Sequence, residues 1–263
     1  MHTLSFVIDI VLAGYVIREV FQFGAQYRQL KKDIANGDTQ ARGRVYRKAI
    51  VFEWVSALLA LLALGFDWNK LNPKFLALEG TKLVQIWQGG AFAHSAFSQG
   101  AMAGVVLGLV LGTAGFIVAR IKSNRRGGPA ATASAPLWRK FLPDFSALVP
   151  ATTRERLLWV AVAFSAGICE EVVFRGWLLS TLHGALRLDG TALILVAAVL
   201  FGLAHSYQGI AGMVLTAFAG LLFCGLYVAT GSLLFPILLH ILVDVRFAVL
   251  PAPRSPHPRT IYA

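Results

Sequence analysis

Several stretches of this 263-residue chain run for about 18 residues or more with almost no charged side chain. A soluble domain carries about 25% charged residues, whereas this chain has 14%. A run of about 20 apolar residues is long enough to cross the hydrocarbon core of a bilayer as a helix. The pattern therefore excludes a soluble fold and predicts an all-α, polytopic membrane helical bundle.

Seven apolar segments are predicted as transmembrane helices, the fifth being short for a complete span. They are residues 4–21, 50–66, 101–121, 157–182, 191–204, 210–229 and 232–250. We do not expect the first to be a cleaved signal peptide, because no basic region precedes it and it carries Asp9. It also lacks a convincing small-residue cleavage site.

The net charge of +11 is distributed unevenly along the chain. Eight Lys or Arg lie in residues 18–48, eight in residues 120–156 and two in the tail, against four in the segments expected on the opposite side. Basic loops of multi-pass proteins lie in the cytoplasm. We therefore predict a cell (inner) membrane protein with its N-terminus outside and its C-terminus in the cytoplasm. The bilayer explains the basic excess without a nucleic-acid partner.

Composition divides the chain into four parts. Residues 1–126 are predicted to form a three-helix membrane region with a basic cytoplasmic loop. Residues 127–146 contain a Gly, Ala, Ser and Pro-rich stretch typical of a flexible cytoplasmic linker. Residues 147–250 are predicted to form a four-helix region, and residues 251–263 a cytoplasmic tail. The two cysteines, Cys169 and Cys224, sit in apolar segments, which excludes a disulfide scaffold.

Ionisable side chains lie inside the predicted helices of the C-terminal part, where charge is expensive and needs a partner or a function. At about 1.5 Å per residue, Glu170, His205, His240 and Asp244 fall within a band about 10 Å thick. We therefore predict one shared intramembrane site. A buried carboxyl group and imidazoles suit activation of a water for attack on a carbonyl, with the other groups stabilising the oxyanion or binding a metal ion.

Neighbouring residues are expected to support this site. Glu171 and Arg175 are four residues apart, which favours a structural ion pair that can also orient the adjacent carboxylate. Phe201 lies four residues before His205, so its ring can pack against the site or shield it. Asp244 lies four residues after His240 and can orient that imidazole, or help bind a metal or an oxyanion. Water is the expected nucleophile, because no Ser or Cys lies in a nucleophile motif.

The polar residues form three short motifs: E-E-x-x-x-R at 170–175, F-x-x-x-H at 201–205 and H-x-x-x-D at 240–244. In this order on apolar helices they resemble the motifs of the CPBP family, over roughly residues 150–250. This family comprises the type II CAAX prenyl proteases and the bacteriocin-processing intramembrane proteases, also called the Abi family. The resemblance implies an intramembrane endopeptidase, of metallo- or glutamate type, in the region 147–250.

The resemblance also implies roles for individual residues. Glu170 would activate water, His205 would position it, and His240 with residue 244 would stabilise the oxyanion or bind a metal. In the type II prenyl proteases the last motif ends in Asn, whereas this chain has Asp244. An ionised Asp cannot donate a hydrogen bond, so it must be protonated, bind a cation or orient His240. Zinc is possible, with Glu170, His205, His240 and Asp244 as candidate ligands; no other cofactor is predicted.

The expected substrate is a peptide or a segment of a membrane protein. Two other functions stay open at this point. One is a non-proteolytic membrane scaffold or bacteriocin-immunity protein that retains the fold. The other, less favoured, is a proton-coupled transporter, since intramembrane Glu, His and Asp also serve proton relays; no pair of inverted halves supports it.

Overall fold

The computed structural model describes residues 2–67, 71, 107, 146–188 and 190–249. Within these residues the regular structure is helical and contains no strand, which confirms the all-α prediction for this part of the chain. The helices are α1 (His2–Ala35), α2 (Ala41–Ala63), α3 (Thr153–Glu171), α4 (Leu179–Leu186), α5 (Gly190–Ala204), α6 (Gly209–Thr230) and α7 (Leu234–Val245). A π-helical segment, Val172–Leu178, joins α3 to α4, and short 3-10 helices lie at Ser146–Leu148, Ser206–Gln208 and Arg246–Val249.

Two helical stretches are long and apolar enough to cross a membrane: Thr153–Leu186 and Ser206–Val228. They coincide with the fourth and sixth predicted segments. The helix Gly190–Ala204 is apolar but short, as predicted for the fifth. The third segment (101–121, apart from residue 107), nearly all of the linker 127–146 and the tail 251–263 lie outside the described residues. The count of seven spanning helices and the four-part domain division therefore stay predictions.

Large apolar side chains cover the outside of the helices. Phe21 on α1 is 78% exposed, and Phe164 on α3 and Phe218 on α6 are also exposed. Soluble proteins rarely expose apolar surface on this scale. An outer surface of this kind fits contact with lipid.

The start of α3 is tied to α2 by polar contacts. Thr152 and Glu155 form a capping box that satisfies free backbone N–H groups at the helix end. Arg42 donates to the carbonyl of Ala147 at 2.8 Å, and its guanidinium lies 3.9 Å from the Glu155 carboxylate. The Tyr46 hydroxyl donates to the carbonyl of Leu148. These contacts place the beginning of α2 and the beginning of α3 at the same end of the bundle.

Two glycines allow the helices that carry the polar residues to approach closely. A Cβ at Gly167 on α3 would lie 2.5 Å from a side-chain carbon of Ile241 on α7. A Cβ at Gly202 on α5 would lie 2.6 Å from the carbonyl oxygen of Met213 on α6. Both contacts lie within about one helical turn of the polar motifs. The absence of a side chain at these positions therefore helps to bring the motifs together.

Candidate active site

A cavity of about 340 Å³ lies between α1, α2, α3, α5, α6 and α7. Its lining includes Glu170 from α3, His205 just after α5, and His240 and Asp244 from α7. The four residues that were predicted to share a site therefore meet at one cavity. Of the supporting residues, Phe201 also lines it, whereas Glu171 and Arg175 do not.

Glu170 points one carboxylate oxygen at both histidines. Its Oε2 lies 3.9 Å from Nε2 of His205 and 4.0 Å from Nε2 of His240. This oxygen is buried and has no hydrogen-bond partner among the described residues. Separations of this size are too long for direct hydrogen bonds but suit a bridging water. The carboxylate is thus available to a small molecule between the two imidazoles.

His205 is oriented by its own helix. The ring Nδ1 lies 2.9 Å from the backbone carbonyl oxygen of Phe201. A carbonyl only accepts hydrogen bonds, so Nδ1 must carry the proton in that contact. The neutral ring therefore presents the lone pair of Nε2 towards Glu170.

His240 is oriented by the buried ion pair. Its Nδ1 lies 2.9 Å from Oε1 of Glu171, and the same oxygen accepts from Arg175 at 3.0 Å. Glu171 is completely buried and Arg175 is 1% exposed, with a second donor of Arg175 reaching the carbonyl of Gly220. The predicted ion pair is present, and the imidazole that it orients is that of His240.

Asp244 lies next to His240 in the cavity wall. Its Oδ2 lies 3.6 Å from Nε2 of His240, on the cavity side of the ring. The hydrogen bond that orients the imidazole comes from Glu171 at Nδ1. Asp244 therefore lies beside the free ring nitrogen of His240, and its role in orienting the ring or binding a metal or an oxyanion stays a prediction.

Two aromatic rings separate the ion pair from the cavity. Phe223 stacks on the imidazole of His240 at 5.0 Å between ring centres, and Phe201 lies 4.9 Å from the ring of His205. The guanidinium carbon of Arg175 lies 4.5 Å from the Phe201 ring centre and 5.2 Å from that of Phe223. Such contacts favour a desolvated cation. Phe201 thus packs against His205 and covers Arg175. The sequence patterns did not identify Phe223, which lies in none of the three motifs.

The backbone changes its winding directly after the two glutamates. Residues Val172–Leu178 are π-helical and contain Arg175. Within this segment the Trp177 indole donates to the carboxylate of Asp9 on α1 at 2.7 Å. π-Helical turns occur often at functional sites. In this protein the turn is braced from outside by α1.

Glu53 on α2 is a further cavity residue that the sequence patterns did not identify. It lines the same cavity, is 7% exposed, and its Oε2 is buried without a hydrogen-bond partner in the described ranges. No motif surrounds it in the sequence. In the sequence, an acidic residue within an apolar segment was the one sign that Glu53 has a partner or a function.

The spacing of the donor atoms decides whether they suit a metal ion. Among residues 2–67, 146–188 and 190–249, no group of three or more His, Cys, Asp or Glu has the spacing of a metal site. Donor atoms of a tetrahedral zinc site lie about 3.3 Å apart, whereas Glu170 and the two imidazoles are separated by 3.9 and 4.0 Å. This arrangement of Glu170, His205, His240 and Asp244 therefore does not fit zinc. Cys169 and Cys224 are buried free thiols.

Comparison with known proteins gives one family-model match, and it covers the polar motifs. Residues 152–246 match the family model described as type II CAAX prenyl endopeptidase Rce1-like. The match begins at the cap of α3, ends just after α7, and contains all three polar motifs. Comparisons with curated proteins and with solved structures gave no match. Over residues 152–246 the chain is therefore similar to the Rce1-like type II CAAX prenyl endopeptidases, which is consistent with the CPBP resemblance.

Proposed function

We propose that this protein is an intramembrane endopeptidase that hydrolyses a peptide bond in a membrane-associated peptide or protein, with water activated by Glu170. The observation that supports this most is the unpartnered, buried Oε2 of Glu170, which faces Nε2 of two histidines across one cavity. A carboxylate in this position can accept a proton from a water that the imidazoles hold.

His205 positions the water in this proposal. Because its Nδ1–H is bonded to the Phe201 carbonyl, its Nε2 accepts one hydrogen bond from the water. Glu170 accepts the other proton as the water oxygen bonds to the carbonyl carbon of the substrate. The tetrahedral intermediate then breaks its C–N bond, and Glu170 returns the proton to the leaving amine.

His240 stabilises the oxyanion of that intermediate. Its Nδ1 is held by Glu171, so Nε2 is the ring atom that faces the cavity. In the imidazolium form Nε2 donates a hydrogen bond to the developing negative charge. Asp244 acts on His240, since an ionised carboxylate cannot donate to an oxyanion.

The cavity also indicates the route of entry. It extends from Glu170 to residues at the ends of the helices, including Tyr46, Lys48 and Leu148. These lie beside the basic regions that are predicted to be cytoplasmic from the charge distribution. We propose that substrates enter from that side of a multi-pass protein in the cell membrane, with the N-terminus outside and the C-terminus inside.

Substrate trapping tests the proposal. Wild type, Glu170→Gln and the surface control Asp38→Asn are expressed in cells, bound proteins are cross-linked and isolated, and new chain termini are identified by mass spectrometry. We expect Glu170→Gln to retain an uncut protein that wild type and Asp38→Asn cleave. Metal analysis of the same preparations measures whether the protein binds zinc.

Other results would contradict the peptidase. Equal cleavage by wild type and Glu170→Gln would remove Glu170 from the chemistry. Capture of the same uncut proteins by both would indicate the scaffold or immunity function, and pH-dependent flux into liposomes without cleavage would indicate the transporter.

A further inference from the structure

Glu53 comes from the part of the chain outside the family match, yet it reaches the same cavity as Glu170. Its side chain is more than nine-tenths buried, and Oε2 has no hydrogen-bond partner in the described residues. The charged groups that act on it most are also carboxylates, those of Glu170 and Asp244. None of these neighbours neutralises it.

The cavity is acidic although the chain as a whole is basic. Four acidic side chains line it against three cations, in a chain of net charge +11. The acids are Glu19, Glu53, Glu170 and Asp244, and the cations are Lys48, Arg246 and the imidazolium form of His240. Lys48 is exposed near the start of α2. The guanidinium of Arg175 is bound to Glu171 and does not line the cavity.

A buried carboxyl group without a partner costs free energy, because it either stays ionised without a counter-charge or must take up a proton. A cationic side chain that entered the cavity would remove this cost by forming a charge-assisted hydrogen bond, among the stronger kinds in proteins. The long apolar stem of Lys or Arg can pass along the apolar cavity wall while its charged end reaches the acid.

We propose that Glu53 is a substrate-binding residue that makes the cavity selective for a peptide carrying a Lys or Arg side chain near the scissile bond. That the bound peptide is a substrate rests on the proposed peptidase function. That it binds rests on the cavity alone. It gives the N-terminal helices a direct part in recognition.

Peptide binding to a non-cleaving variant tests the inference. The probes are two palmitoylated, dansyl-labelled peptides of about ten Leu and Ala residues, one with a central Lys and one with norleucine. Their dissociation constants are measured in liposomes with Glu170→Gln. We expect the Lys peptide to bind about tenfold more tightly. In Glu53→Gln/Glu170→Gln this preference should disappear, and in Glu53→Asp/Glu170→Gln part of it should remain.

Two controls make the outcome decisive. Asp38→Asn/Glu170→Gln removes a carboxylate outside the cavity and should keep the full preference. Equal binding of both peptides to Glu170→Gln, or a preference that survives Glu53→Gln, would overturn the inference. Binding requires no hydrolysis, so failure of wild type to cleave any substrate would count against the peptidase and leave the binding ratio as a separate result.

Discussion

Glu170 and Glu171 are adjacent residues of one helix that lie in opposite environments. Glu171 is fully buried and shares Oε1 between Arg175 and His240. Glu170 lines the cavity and leaves Oε2 without a partner among the described residues. One step along a helix turns a side chain by about 100°, which is enough to bury one carboxylate among its partners and to place the other at the wall of the cavity.

The comparison shows how a buried ion pair can hold a neighbouring, unpartnered carboxylate at the wall of a cavity. Glu171 and Arg175 neutralise each other's buried charge, and Glu171 positions His240. The rings of Phe201 and Phe223 separate this pair from the cavity. The unpartnered carboxylate of Glu170 then faces His240, whose ring is held in place by Glu171. Each side of this arrangement predicts a different response to substitution.

The largest effect on stability is expected at the buried ion pair. Arg175→Met removes one partner of a buried ion pair and leaves the Glu171 carboxylate without its guanidinium, which costs about 3–5 kcal/mol in the free energy of unfolding. Chemical unfolding in detergent measures it. The double variant Glu171→Gln/Arg175→Met leaves no unpaired charge and should recover much of the loss. A double variant as unstable as Arg175→Met would show that packing of the arginine dominates.

The next effect falls on the cavity side. His205→Leu should lower the rate of substrate cleavage about 100-fold, because the water loses an acceptor that positions it. The free energy of unfolding should change by less than about 1 kcal/mol, since the hydrogen bond of this ring is to its own helix. His183→Leu, at a histidine that does not line the cavity, is the control. Cleavage at the wild-type rate by His205→Leu would remove this residue from the proposed mechanism.

A smaller effect is expected where the two sides are assembled. Gly167→Ala would place a Cβ against Ile241 and force α3 and α7 apart, at a cost of about 1–3 kcal/mol. Separating these helices also lengthens the contact between Glu171 and His240. The cleavage rate should therefore fall by more than the loss of folded protein accounts for. Parallel measurement of the cleavage rate and the unfolding curve checks this. Cleavage and stability both at wild-type levels would show that this close approach is not needed.

The smallest effect is expected at an exposed ion pair, the counterpart of the buried one. Arg44 bonds to Asp38 between α1 and α2 and lowers the pKa of that carboxyl. The stabilisation is therefore present above the ordinary carboxyl pKa of about 4 and is lost as pH falls through the lowered value. Asp38→Asn should lower Tm slightly at pH 7, and the difference should vanish in acid. A Tm difference between wild type and Asp38→Asn that grows as pH falls would contradict this prediction.

Part of this arrangement could be predicted from the sequence. Helical rise fixes the depth of a residue within a span, so four polar residues on three segments could be assigned to one level, and the structure brings Glu170, His205, His240 and Asp244 to one cavity. Helical spacing likewise predicted the pair of Glu171 with Arg175.

The remaining features depend on how each helix is rotated and which helix it packs against. The hydrogen bond from His240 goes to Glu171 because α3 and α7 meet at Gly167, a contact that no local pattern encodes. Phe223 and Glu53 stand outside the motifs, and only the packing of α6 and α2 brings them to the site.

The most direct measurement compares Glu170→Gln with Glu171→Gln on one identified substrate, recording the cleavage rate and the free energy of unfolding for each. We predict that Glu170→Gln lowers the rate by about 10³-fold or more with nearly unchanged stability, because a general base is lost. Glu171→Gln should lower stability by about 2 kcal/mol or more, since it weakens a buried charged network. Cleavage by Glu170→Gln at the wild-type rate, or equal loss of stability in both variants, would contradict the division of roles between the two carboxylates.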